Sequence, residues 1–185
     1  MTLEQLLKHT HDRAAWYWIG MGYWKQHEFE SAKVWLEKTM NDTGNEWAGK
    51  SAFNLAQLHT MGTTAIKDAS IDEAIRLYET ILKKNPKSSL SSIHAGLLYC
   101  RAKNDLTKGK KLIEDGIKFL IEEDGNDSYL AIDECFKIAE VYEAVRDNAK
   151  AIEYFKKAID RRDPNYPPDN EFVEMAKQAI RELGG

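Results

Sequence analysis

Cysteine is almost absent from this chain and proline is scarce: two cysteines and four prolines stand among 185 residues. Cys100 and Cys135 form no CxxC spacing, so neither a disulfide framework nor a thiolate zinc site is expected, and both thiols should stay reduced. Few prolines, eleven glycines and 43% apolar residues exclude collagen-like and disordered chains and fit a globular one. Long apolar runs are also missing, which excludes a spanning helix. The opening MTLEQLLKHTHDR has no basic start followed by an apolar block, so no secretory signal is drawn and a cytosolic protein is expected. Nor is there an excess of positive charge. With 26 Lys and Arg against 30 Asp and Glu the net charge is −4, leaving no overall field to gather nucleic acid or anionic lipid. Neither is an expected partner.

What the sequence does contain is self-similarity. Residues 16 to 40 place Trp16, Ile19, Gly20 and Tyr23 ahead of Ala32, Leu36 and Thr39. Trp16, Ile19 and Tyr23 make one stripe of a first helix, Gly20 is the small spot where a second helix crosses, and Ala32 is the small residue that meets it. The pattern returns as Leu55, Ala56 and His59 with Ala74, Tyr78, Ile81 and Pro86. A third copy has Ala95, Gly96 and Tyr99 with Gly109, Ile113 and Gly116. A fourth has Ile138, Ala139 and Tyr142 with Ala151, Phe155, Ala158 and Pro164. This spacing, W-x2-L-G-x2-Y followed by A-x3-F, resembles the tetratricopeptide repeat. A longer Gly-containing link, TMGTTAIKDAS at 60–70, gives the second copy a resemblance to the Sel-one-like repeat.

The fold class expected is all-α, a right-handed superhelical stack of antiparallel helix hairpins. A single domain should cover 1–185, with an N-terminal helix in 1–12, repeats at 13–46, 47–88, 89–124 and 125–165, and a capping helix in 166–185. Thr2 with Gln5 and Ser70 with Glu73 read as capping boxes, and Asp12 and Asp147 as N-caps. Gly44 is placed after the first hairpin, where a helix end often requires positive φ. Leu3, Leu6 and Leu7 share a face of the first helix. Phe172, Met175, Ala176, Ala179, Ile180 and Leu183 share a face of the last, which Gly184 ends.

No chemistry is assembled by motif: GxxxxGKS/T, a strand followed by GxGxxG, GxSxG and HExxH are all missing. A non-catalytic protein without cofactor or metal is expected; an enzyme or metal-dependent regulator would have to use His59, His94 and scattered carboxylates. The resemblance implies a scaffold whose first helices line a concave groove for a partner's peptide or helix. Opposite the Ile19 stripe stand Tyr17, Met21 and Trp24. The corresponding places are Phe53 and Gln57, with Asn54 beside them, then Ile93 and Leu97, then Phe136, Glu140 and Glu143. Tyr17, Met21, Trp24 and Phe53 are the expected apolar anchors, with Asn54 and Gln57 for backbone amides and Glu140 and Glu143 for a basic end.

Such an apolar second stripe has to be covered. The helix at 2–9, the next hairpin, a partner's apolar side chain or a second copy in a homodimer each remain open as the cover. Residues 119–147 carry nine acids, which would welcome a basic segment or be ordinary solvated surface. The carboxylate clamp known for this family is not reproduced: Asn54 fits one place, but Ala14, Trp18, Leu90 and His94 stand where other clamp residues belong. Gly20→Leu should overpack the first crossing and lower stability by about 1 to 3 kcal/mol. An unchanged thermal unfolding curve would show the crossing to be misplaced.

Overall fold

The computed structural model describes residues 2–128, 130–163, 165, 167 and 169–185, and of Asp124 the backbone alone. Pro164, expected to terminate the fourth copy, lies outside the described residues. Among them are ten helices and no strand: α1 Leu3–Leu7, α2 Ala15–Lys25, α3 Phe29–Asn41, α4 Ala48–Met61, α5 Ile71–Lys84, α6 Ser89–Ala102, α7 Leu106–Asp124, α8 Ile132–Ala144, α9 Asn148–Asp160 and α10 Asp169–Glu182. The fold is all-α. Contacts divide the chain into two compact units, 1–91 and 92–185, with the division inside α6.

In the first unit α2 and α3 pair as an antiparallel hairpin, as do α4 and α5. A Cβ built on Gly20 would stand 3.1 Å from Leu36 Cγ and 3.4 Å from the Ala32 carbonyl, so the first crossing is where the repeat pattern puts it. Ile19, Ala32 and Leu36 around it have no exposed surface. Ala56 and Ala74 hold the corresponding positions of α4 and α5, also fully buried. α1 is shorter than expected and meets α2 through Leu3. That leucine sits where a side chain at Gly22 would be, 2.9 Å from a built Cβ.

In the second unit α6 and α7 approach most closely. A Cβ on Gly96 would lie 2.6 Å from the Gly109 carbonyl, and one on Gly109 would overlap the Cys100 sulfur. The α8/α9 crossing uses Ala139 and Ala151, both fully buried. α10 packs on α9 and α8, with Val173, Ala176 and Ile180 inward at spacings of three and four. The expected face included Met175, but that side chain is 47% exposed, because Val173 takes the inward place.

Turn chemistry explains the short connections. The Glu28 N–H donates to the Tyr23 carbonyl (3.0 Å) and the Asp147 N–H to that of Tyr142 (2.9 Å), each across a left-handed residue, His27 (φ 59) and Arg146 (φ 60). These are Schellman closures without glycine. The α6/α7 turn is one residue longer, with Asp105 N–H on the Tyr99 carbonyl and Asn104 left-handed (φ 54). Two N-terminal signals act as expected: Thr2 forms its capping box with Gln5, and Asp147 accepts the Lys150 N–H. The Ser70 box forms only by half: Ser70 Oγ accepts the Glu73 N–H, but the Ser70 N–H goes to His59 Nδ1 and the Glu73 carboxylate to Arg76.

Two end signals were misplaced. Ala14, not Asp12, is the N-cap residue of α2, and the Asp12 carboxylate accepts the Ala14 N–H (2.9 Å). Gly44 is not left-handed. Asp42 and Asn45 side chains accept the N–H groups two residues on and turn this link by themselves.

The spacing of the glycines makes a paired prediction. Gly109→Ala forces atoms apart at the tightest crossing and should lower stability by about 1 to 3 kcal/mol. Gly49→Ala, in α4 with nothing within 4 Å, should raise it by about 0.5 kcal/mol. Urea denaturation of both variants checks the pair, and equal midpoints would refute the assignment of the crossing.

Candidate functional site

On the first unit, the first helices α2 and α4 carry the expected anchors. Their sequences, AWYWIGMGYWK and AGKSAFNLAQLHTM, contain no carboxylate, and their ammonium groups are Lys25 and Lys50. The acidic residues within this unit's hairpin helices lie instead on α3 and α5, as Glu30, Glu37, Asp72, Glu73 and Glu79, with Glu28 and Asp68 in the links. Asn54 draws the two first helices together. Its Nδ2 donates to Tyr17 Oη (3.3 Å) and to Met21 Sδ (3.0 Å).

The Tyr17 ring stacks on Trp47 with centroids 5.0 Å apart, so Tyr17 is 8% exposed and serves packing. Thus the second stripe at Tyr17 and Met21 is covered by α4 and its N-cap residue Trp47, while α1 rests beside it on Gly22. Met21, Trp24, Phe53, Asn54 and Gln57 are half-buried. Trp24 meets Phe29 edge to face and Phe53 meets Tyr78 likewise, which fixes both rings on the hairpin beneath.

The tryptophan-rich start of the sequence reads as a surface for self-association, with no separate role for Trp18 or Trp47. Trp18 is 47% exposed and touches the rings of Tyr17 and Trp47 with centroids 5.1 and 5.0 Å away. Lys50 Nζ lies 4.6 Å from the Trp47 ring centre. The available signal was the clustering of all five tryptophans before residue 48.

The second unit places its candidates differently. Ile93 and Leu97 are buried and pack α6. Phe136 is buried too, its ring edge to face with Phe155 and Phe172. Glu140 is half-buried with Arg101 at 3.5 Å, and Glu143 is exposed. Much of the acidic run is neutralised internally. Asp127 receives Lys157 (2.7 Å) and Arg161 (2.8 Å), Asp133 receives Lys137 (2.7 Å), and Glu134 stands 2.8 Å from His94 Nε2.

Burial pushes both thiols up to about 11, Cys135 despite the Arg161 guanidinium against its sulfur. Neither cysteine is a poised nucleophile. Among the described residues, no group of three or more His, Cys, Asp or Glu could hold a metal ion, and no helix is long and apolar enough to cross a membrane.

Residues 135–165, from α8 through α9, match the tetratricopeptide repeat model. No curated protein sequence matches the chain. Among solved structures, MamA from Desulfovibrio magneticus RS-1 (residue 41 to the end) is 15% identical, with 93% of each chain covered and a TM-score of 0.56. Nearly identical TPR-like repeats assigned to a kinesin light chain of Podosopora anserina are 16% identical, covering 91% of this chain and 90% of that one, with a TM-score of 0.56. At such identity the likeness is one of fold. The fold and repeated crossings define an all-α helical-repeat protein. Within that class, residues 135–165 match the tetratricopeptide repeat, and the fold resembles that of tetratricopeptide-like repeat structures.

One ion cluster yields a pH prediction. Burial pushes the Asp127 carboxyl up, but the Lys157 hydrogen bond and the charges of Lys157 and Arg161 outweigh it and hold it below the usual carboxylate range. A carboxyl whose folded pKa is lowered adds stability above its unfolded range, and that stability is lost as pH falls through the folded value. The stability gap between wild type and Asp127→Asn should therefore narrow between about pH 7 and about pH 3. Urea midpoints measured across that range check it; a constant gap would contradict it.

Proposed function

We propose that the protein is a non-catalytic interaction scaffold that takes a peptide or helix of a partner protein on the first-helix face of its repeats. The observation that carries this reading is the face of α2 and α4. It is free of carboxylates, joined by Asn54, and has Met21, Trp24, Phe53 and Gln57 half open to solvent. Aromatic and methionine side chains held in place by their own hairpin are favourable anchor material, since little rotamer freedom is lost on binding. Asn54 and Gln57 supply amides for a partner's backbone. Tyr17 shapes the face from beneath. On the second unit by itself, Glu143 and Glu140, the latter shared with Arg101, are the proposed contacts for a basic segment.

The partner is a protein, in a cytoplasmic setting, with no cofactor or metal in the reading. The Sel-one-like character of the second repeat belongs to the same proposal, on the strength of the link at 62–70 between α4 and α5. A second reading, self-association into a homodimer, is favoured by Trp18, whose ring is 47% exposed beside Trp47.

Affinity capture from native lysate with wild type and Trp24→Ala/Gln57→Ala tests the first reading. The variant should lose bound partners by about tenfold or more while its circular dichroism is unchanged, as anchor removal costs about 2 kcal/mol. Equal recovery by two equally folded proteins would rule these anchors out. Light scattering over a dilution series separates the homodimer.

A further inference from the structure

The α4/α5 hairpin closes unlike the other three. In those, a backbone N–H of Glu28, Asp105 or Asp147 donates to the carbonyl of Tyr23, Tyr99 or Tyr142, and no titratable atom takes part. The corresponding residue of α4 is His59, 6% exposed. The chain leaves α4 through Gly62 at φ 81 and ψ −172, a backbone region essentially confined to glycine. It then runs through 63–70 before α5 begins. Three fastenings hold this segment. The Ser70 N–H donates to His59 Nδ1 (3.2 Å), the Lys67 N–H donates to Glu30 Oε1 (2.7 Å), and Asp68 pairs with Lys33 (2.5 Å). Ile66, 1% exposed, is tucked beneath.

We propose that residues 62–70 form a proton-controlled strap, held at its α5 end while His59 is neutral and released there when the imidazole is protonated. The chemistry is that of one lone pair. Neutral His59, with its proton on Nε2, accepts from Ser70 at Nδ1; the imidazolium carries hydrogen on both nitrogens and accepts nothing. The half-buried Ser70 N–H then loses its partner.

The groups facing His59 are Asp68 of the strap and Glu73 of α5, while Glu30 and Lys33 of α3 reach the strap beyond it. Lys33 holds Asp68, and Arg76 holds Glu73, below the usual carboxylate range, so both stay charged where histidines titrate. The two carboxylates are close enough to His59 to favour the imidazolium by charge. Because Lys33 and Asp68 keep their charges, the ion pair at the middle of the strap persists, and the link at Ser70 is the one that changes.

Hydrogen exchange read by mass spectrometry tests this on the intact chain, at about pH 8 and about pH 5.5, with rates corrected for intrinsic exchange. In wild type, protection of 62–70 relative to α5 should fall about fivefold to tenfold at the lower pH, the worth of one hydrogen bond. In His59→Asn, whose amide oxygen stands where Nδ1 does and accepts at either pH, the relative protection should not change. Unchanged protection in wild type would overturn the proposal, and so would an equal fall in His59→Asn. The wild-type comparison decides by itself if the variant loses its fold.

Discussion

Two helices can bring their backbones close together only where both carry small residues at the crossing. That constraint organises this protein. It is met by Gly20 against Ala32, by Ala56 and Ala74, by Gly96 against Gly109, and by Ala139 and Ala151. The apolar residues beside each small one, such as Ile19 and Leu36 in the first hairpin, are buried because the backbones come close enough to exclude water. The Gly96 and Gly109 pair is the extreme case, with each backbone in the space of the other's missing side chain.

The turns follow from the same geometry. Once the helices cross, a tyrosine carbonyl at the end of α2, α6 and α8 is left to accept the N–H that starts the next helix. His27, Asn104 and Arg146 take the left-handed conformation that this requires, although none is glycine. Asp105 and Asp147 then cap α7 and α9 with their side chains. In the second hairpin the tyrosine is replaced by His59 and the turn by a longer segment, so a side chain does what the backbone does elsewhere. The face of α2 and α4 is apolar for a separate reason. Acids within that unit's hairpin helices sit on the second helices, leaving aromatic and thioether groups on the first.

The parts of the fold that depend on neighbours in sequence were legible: the crossing residues, the capping residues Thr2, Ser70 and Asp147, and the inward alanines. What depends on distant partners was not. Nine acids in 119–147 read as a surplus of charge, yet Lys157 and Arg161 reach Asp127 from thirty or more residues away. Tyr17 read as an open anchor because nothing in its own helix announces that Asn54 and Trp47 lie upon it. Ile93 and Leu97 shared the apolar signature of groove residues and turned out buried, since helical periodicity separates faces of one helix without saying what covers each. Gly44 stands where a helix end often requires positive φ, yet Asx turns by Asp42 and Asn45 make glycine's freedom unnecessary there.

The account stands on the crossings, and leucine scanning probes them most directly. Ala56, Ala74, Ala139 and Ala151, each replaced singly by leucine, should lower the unfolding free energy by about 1 to 3 kcal/mol. Leucine at Gly49, where a side chain meets open space, should not lower it and should raise it by about 0.5 kcal/mol. A scan in which the four alanines tolerate leucine as well as Gly49 does would contradict the idea that close helix approach at small residues holds this protein together.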